Sequence, residues 1–254
     1  MTNPFIHLRT LSSYSLSEST LKINNLVSLA KKNQMPSIAI TDNNNMFGVF
    51  EFAQECVNNN IQPIIGTSIN LLDVKFNNTI SQLTFLAKNE TGYSNLLHLS
   101  SLSHLNNFRD VGINLSQIKD YSDGLYCYLG GVNNPLLLLR KDNKKSELNF
   151  FIDSLRKLFH NNFLFEIQRI KDPIIDSFEN EFIELSHKFD IPLIGSNNIK
   201  YGAKDDFSAH DALLCIAQKS TINNSQRDVS NENIYFKSSE EMQNIFEDIP
   251  EINS

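Results

Sequence analysis

Apolar residues along this chain fall into short runs separated by longer amphipathic stretches. Phe5-Ile6-His7-Leu8-Arg9 reads as a short strand. Ser37-Ile38-Ala39-Ile40, entered at Pro36, reads as a compact buried strand that ends at Thr41-Asp42. The same signal predicts strands at 62–66, 68–74, 82–87, 124–129, 163–167, 192–196 and 234–236, with a polar turn at Asn77-Asn78. Between them lie helical patterns. Ser19-Thr20 can cap a helix with Leu21, Ile23, Leu26, Val27, Leu29 and Ala30 at its apolar positions. A helix over 46–57 is predicted to present Phe47, Phe50, Ala53 and Val57 on one face. One over 90–105 turns Tyr93, Leu96, Leu97 and Leu99 inward. Pro135 suits a first helical position, and further helices are predicted over 146–159, 173–189, 204–216 and 239–246.

Strands alternating with amphipathic helices imply a largely parallel α/β sheet, closed as a barrel or open and doubly wound. In either form, site residues collect at the C-terminal ends of strands, here Arg9, Asp42, Ser68, Gly131 and Asn198. Gly66 and Gly92 are isolated in the first half, so no glycine-rich nucleotide loop is present there and dinucleotide binding is not expected.

Composition narrows the classes further. The 254 residues are 41% hydrophobic, enough for a sizeable core. No apolar run reaches about 18 residues, and the first ten residues lack a signal-peptide pattern. A cytoplasmic chain without a membrane span is expected. Cys56, Cys127 and Cys215 are far apart, which excludes a disulfide scaffold and a cysteine-rich zinc site. A net charge of −7 argues against an autonomous duplex-DNA binder. The 33 asparagines fit codon usage in an AT-rich genome, with clusters such as Asn43-Asn44-Asn45 and Asn58-Asn59-Asn60 at helix ends, where Asn is tolerated.

Several segments carry a resemblance in order and spacing. They are FIHLRTLSSYSL from Phe5, IAITDNNNMFG from Ile38, IQPIIGTS from Ile61, LTFLAKNETGYSNL from Leu83, IPLIGSNNIKY from Ile191, and the acidic stretch from Glu240 to Glu251. Together they resemble the N-terminal PHP (polymerase and histidinol phosphatase) domain of the bacterial replicative DNA polymerase III alpha subunit. The resemblance implies a distorted (β/α)7 barrel formed by one domain over 1–254. The barrel would span about 4–217, and an extension over 218–254 would lead toward polymerase domains. It also implies, for active members, two or three metal ions in the barrel mouth, which acidify a water for phosphoester hydrolysis.

Matched ligand by ligand, this chain departs from that pattern. The opening His-x-His aligns with Arg9 and Leu11, and Thr-Asp-His-Gly becomes Thr41-Asp42-Asn43-Asn44. A ligand Glu aligns with Ser68, a His with Gln82, a Cys with Gly131, and the closing Asp and His with Asn198 and Lys200. Of this cluster only Asp42 remains, so no cofactor is expected, and Arg9 or Lys200 is expected to compensate Asp42 in place of metal. The resemblance then implies a structural and subunit-docking module of a replicative polymerase. Its partners would be the remaining polymerase domains and the proofreading exonuclease subunit. It would meet DNA only through the full-length enzyme, and nucleotidyl transfer would lie in sequence beyond Ser254. A working metal-dependent phosphoesterase or 3′–5′ exonuclease is the alternative and needs the missing ligands. A decayed gene fragment is a third, and the intact apolar pattern argues against it. His98, His104, His160 and His187 read as structural, as does the basic run Arg140 to Lys145. His210-Asp211 reads as packing or capping, with a remnant of the site as the alternative, Cys127 as a buried small hydrophobe, and Glu166 as a strand-end carboxylate that faces either the mouth or solvent without an evident partner.

Overall fold

The computed structural model of the chain describes residues 4–76, 79–105, 111–141 and 145–252. Six strands lie side by side in chain order: β1 (Ser37–Ile40), β2 (Gln62–Phe76), β3 (Thr79–Ala87), β4 (Leu125–Gly130), β5 (Phe163–Gln168) and β6 (Leu193–Ser196). The principal helices are α1 (Ile23–Lys32), α2 (Val49–Asn58), α3 (Glu90–Leu105), α4 (Leu115–Ile118), α5 (Pro135–Lys141), α6 (Lys145–Phe159), α7 (Pro173–Asp176), α8 (Glu179–Phe189), α9 (Phe207–Ala217) and α10 (Ser239–Ile245).

Pairing is parallel for β1/β2, β4/β5 and β5/β6 and antiparallel for β2/β3 and β3/β4. The largely parallel sheet expected from the alternation is therefore interrupted at β3. The two strands predicted at 62–66 and 68–74 are one strand, β2, which doubles back into β3. A direct reversal of this kind gives antiparallel pairing, whereas parallel neighbours need a longer crossover. The turn expected at Asn77-Asn78 lies outside the described residues.

Closure comes from the segment predicted as the first strand. It is extended but irregular, and its hydrogen bonds run to both sides. Ala39 donates its N–H to the His7 carbonyl (3.0 Å), and Thr41 donates to Thr10 (2.8 Å). On the other side, Leu11 donates to Ile199 (2.9 Å), and Ile199 donates back to Arg9 (3.1 Å). Residues 7–11 thus join β1 to the chain just past β6, and the sheet closes into a distorted α/β barrel. Ala39, Leu86 and Tyr128 form a buried group with Leu8, Ile64, Tyr126, Leu164 and Ile194. One or two residues come from each of the six strands and one from the closing segment, so this group is the inside of the ring. The opposite faces of the strands carry Leu71, Leu83, Phe85, Cys127, Phe163 and Phe165 into the main core beneath α3, α5, α6 and α8. Ile38 and Ile40 pack with α1 and α2 in a second core. Among the described residues, no helix is long and apolar enough to cross a membrane.

Several local expectations change in the folded chain. In α2 the buried side chains are Val49, Phe52 and Cys56, while Phe50 and Val57, and Phe47 just before the helix, are exposed. The helix has apolar residues on both faces, and packing against β2 selects the other one. In α3, Leu96 and Leu99 are buried but Tyr93 and Leu97 face outward. α1 starts at Ile23 without a side-chain cap. Ser19 instead donates its hydroxyl to the Leu11 and Lys200 carbonyls, both at 2.8 Å. The helix predicted over 173–189 is broken into α7 and α8. The Asp172 carboxylate accepts from the Ile174 and Ile175 amides, and Pro173 occupies the first helical position.

The C-terminal segment packs against the ring. Tyr235 bridges to Tyr201, and Met242 and Phe246 are buried in the main core. Arg169 donates to Glu179, Asp248 and the Ile245 carbonyl. Lys237 donates its ammonium to Asn197 Oδ1 (2.7 Å), while its carbonyl accepts from His7 Nε2 (2.8 Å). His7 is fully buried, with the edges of Phe5 and Phe236 against it. Burial lowers its pKa from 6.5 to about 4, so the folded state holds a neutral imidazole. Between these two values the unfolded chain binds the extra proton. The associated stability is complete above pH 6.5 and is lost as pH falls through about 4, a loss of roughly 3 kcal/mol. Urea unfolding at a series of pH values should show this slope, and His7→Gln should flatten that part of it. An unchanged slope in the variant would assign the acid sensitivity to other groups.

Candidate functional site

The C-terminal ends of the strands surround a cavity of about 240 Å³. Arg9, Leu11, Asn43, Gln82, Gly131, Asn198 and Lys200 line it together with Glu18, Asn44, Asn70, Val132 and Asn133. The structure therefore brings seven of the nine sequence-selected positions to one mouth. The other two, Asp42 and Ser68, are buried beside it and joined by a hydrogen bond from Ser68 N–H to the Asp42 carbonyl (3.1 Å). The Ser68 hydroxyl meets the Thr84 hydroxyl at 2.8 Å.

The expected pairing of Asp42 with Arg9 or Lys200 does not form. The Asp42 carboxylate accepts from the Ser12 amide (2.7 Å), the Ser12 hydroxyl (2.6 Å) and the Ser15 hydroxyl (2.6 Å). Burial raises its pKa, and the three serine donors oppose that rise. Three short hydrogen bonds from the loop after the closing segment do here what a cation was expected to do.

The two cations have other partners. Arg9 Nη1 donates to Glu166 Oε2 at 2.7 Å, with 7% of the Arg9 side chain and none of the Glu166 side chain exposed. Ser196 donates its hydroxyl to the other Glu166 oxygen. Lys200 Nζ lies 3.5 Å from Glu18 Oε2, which also accepts from Asn43 Nδ2 (2.6 Å). Glu166, read from sequence as a carboxylate without an evident partner, is thus the buried acidic centre of the mouth. Its approach depends on Gly130, where a Cβ would stand 2.6 Å from Glu166 Oε2 and 2.4 Å from its carbonyl oxygen. The signal for Glu166 was present in the alternation of 163–167, which puts it on the same face as Leu164 inside the ring. No such pattern marks Glu18, which lies in the polar loop before α1.

The rest of the lining is carboxamide. Gln82 Nε2 donates to Asn70 Oδ1 (3.0 Å), Asn70 donates to the Val111 carbonyl (3.0 Å), and the Asn44 oxygen accepts from the Asn70 amide (2.8 Å). Asn198 has a left-handed backbone, with φ at 48°, as Asn tolerates. The His210-Asp211 pair lies elsewhere. His210 bonds Ser230 and the Glu18 carbonyl, and Asp211 forms a two-pronged pair with Arg227 that holds its carboxyl below the usual range. Both tie the 218–231 loop down. Cys127 is fully buried, and Arg140 pairs with Glu181 at 2.7 Å. Side chains of the basic run after Arg140 lie outside the described residues.

As a donor set this mouth does not fit a cluster of divalent cations. Such centres need several imidazole, thiolate or free carboxylate ligands converging on one point. Among the described residues, no three His, Cys, Asp or Glu side chains converge in that way. The carboxylates nearest the cavity are each committed, Glu166 and Glu18 to cations and Asp42 to serines.

Comparison with known proteins gives a consistent frame. The PHP domain family matches residues 7–170. DNA polymerase III subunit alpha of Rickettsia conorii is 38% identical over 252 residues, covering 97% of this chain and 21% of that protein. The Rickettsia bellii protein of the same name is 37% identical over 256 residues, covering 98% and 21%. The chain therefore spans about a fifth of the length of these relatives. Among solved structures, an amidohydrolase from Chromobacterium violaceum with bound SO4 and no metal shares the fold. Its TM-score is 0.50 at 10% identity, covering 77% of this chain and 87% of that one.

The Arg9–Glu166 geometry has a measurable consequence. Arg9→Met leaves a fully buried carboxylate without its cation and should cost about 3–5 kcal/mol. The double variant Arg9→Met/Glu166→Leu should regain much of that loss. Arg9→Met combined with Asp42→Asn should be additive within about 0.5 kcal/mol, because the two side chains share no partner. Denaturant unfolding of these variants measures both couplings. Coupling of Arg9 to Asp42 rather than to Glu166 would contradict the pairing.

Proposed function

This chain belongs to the PHP domain family, and from that premise we propose that it is the PHP module of a bacterial replicative DNA polymerase III alpha subunit, with a structural and docking role in place of metal-dependent hydrolysis. The observation that carries this reading is the internal pairing of the mouth. Arg9 and Lys200, at positions where active members place metal ligands, each face a carboxylate of this chain. A metal cluster would have to displace an ammonium and a guanidinium and then find ligands among amides and a leucine. Drawing Glu166 to an incoming cation would leave the Arg9 guanidinium buried without its carboxylate.

In this reading the barrel acts as a rigid body. It supports the polymerase domains of the larger protein and offers a surface to the proofreading exonuclease subunit. DNA synthesis is carried by those other domains, DNA is met only through them, and the assembly works in the cytoplasm. The length relation to the Rickettsia relatives supports this, since the chain aligns with about a fifth of each.

The test is metal content and activity of the purified chain. We expect no stoichiometric zinc or manganese after dialysis, and no hydrolysis of a phosphodiester substrate above that of Arg9→Met/Glu166→Leu. Stoichiometric metal with matching hydrolysis would overturn the non-catalytic reading. The docking role is read by titrating the exonuclease subunit into the chain. Saturable binding supports it, and no binding to either this chain or the full-length alpha subunit removes it.

A further inference from the structure

Gln168 ends β5 beside the mouth, is 1% exposed, and among the described residues neither its side-chain nitrogen nor its side-chain oxygen has a hydrogen-bond partner. Its amide lies over Gly131, where a Cβ would stand 3.1 Å from Oε1 and 3.2 Å from Nε2. Gly131 holds a left-handed φ of 71°, which keeps this face of the turn free of a side chain. Gln168 borders a void of about 20 Å³ that Asn134 and Glu179 also line. Asn134 is 2% exposed, and its Oδ1 accepts from the Leu136 amide (2.9 Å).

An amide buried with all of its hydrogen bonds unmade is costly, and such groups are ordinarily satisfied by protein or by ordered water. We propose that the void holds one ordered water molecule, bound by the Gln168 amide and Asn134, as a fixed part of the fold. The chemistry selects water over an ion. A cation would meet only neutral amide oxygens and an anion only neutral amide N–H groups, whereas water can both donate and accept. The neighbouring carboxylates are already used, Glu166 by Arg9 and Glu179 by Arg169, so no free charge remains to hold an ion. The volume matches one water, and two amide side chains supply the polar partners that a buried water needs. The water ties the end of β5 to the turn between β4 and α5, directly behind the Gly131 wall of the mouth.

A high-resolution crystal structure of the unmodified chain is the first test. It should show a solvent peak within hydrogen-bond distance of both Gln168 and Asn134. An empty void, or a Gln168 amide bonded directly to protein, would overturn the proposal. Gln168→Met keeps the side-chain length without polar atoms, and the peak should be lost while the fold stays. A peak of full occupancy persisting in that variant would also overturn it, because other groups would then hold the water. In solution, the Gln168 side-chain NH2 should show a nuclear Overhauser cross-peak to a long-lived water, and its absence from a well-resolved spectrum counts against the site.

Discussion

A buried ion pair sets the terms for the whole barrel mouth. Glu166 has no exposed side-chain surface, so its charge must be met from within the chain. The nearest means is Arg9, on a segment more than 150 residues earlier in sequence. Ser196 on β6 meets the other oxygen. The closing segment, β6 and β5 are adjacent in the ring, so one carboxylate ties three neighbouring staves together. A pair of this kind adds little net stability over apolar residues of the same shape, but either half alone is severely unfavourable. Its effect is therefore selective. It disfavours arrangements of the ring in which the closing segment is displaced, and it makes Gly130 necessary for the carboxylate to approach.

Once that pair is in place, the other charges of the mouth follow a gradient of burial. Lys200 and Glu18 sit nearer the rim, at 3.5 Å with 21% and 41% of their side chains exposed, where solvent weakens the attraction. Asp42, at 2% exposure, lies too deep for solvent and is held by hydrogen bonds alone. The same three serine contacts shape the loop over 12–15, so the carboxylate organises backbone as well as being shielded by it. A PHP mouth can thus stay polar and ordered with its carboxylates satisfied by the chain itself.

The elements of this fold were largely legible because short apolar runs between turn residues mark strands whatever their partners. What one sequence does not encode locally is direction and partnership. β3 could not be known to run antiparallel to β4, since a helix separates them just as in the parallel units. The face of α2 was misread because Phe47, Phe50 and Val57 recur at helical spacing as cleanly as Val49, Phe52 and Cys56 do. At the mouth, positions matched to the family's ligands gather around one cavity, because strand ends are a property of the alternation. Their contacts were not legible. Arg9 was expected to face Asp42, and the residue it does face was the one set aside for want of a partner.

The same long-range logic joins the two ends of the described chain. Phe5 stacks on Phe246 at 6.4 Å and donates its amide to the Ser239 hydroxyl at 3.1 Å, while His7 bonds the Lys237 carbonyl. Lys237 in turn places a largely buried amine against Asn197 at the end of β6, and burial lowers its pKa to about 8. Phe5 and His7, at the start of the closing segment, are thus covered by residues 236–246, which links the closing segment to the docked C-terminal segment. Ring closure and docking of the C-terminal segment therefore share contacts more than 200 residues apart in sequence. Contacts so distant are entropically late to form. The mouth, whose central ion pair joins Arg9 to Glu166 157 residues later, rests on the same long-range closure.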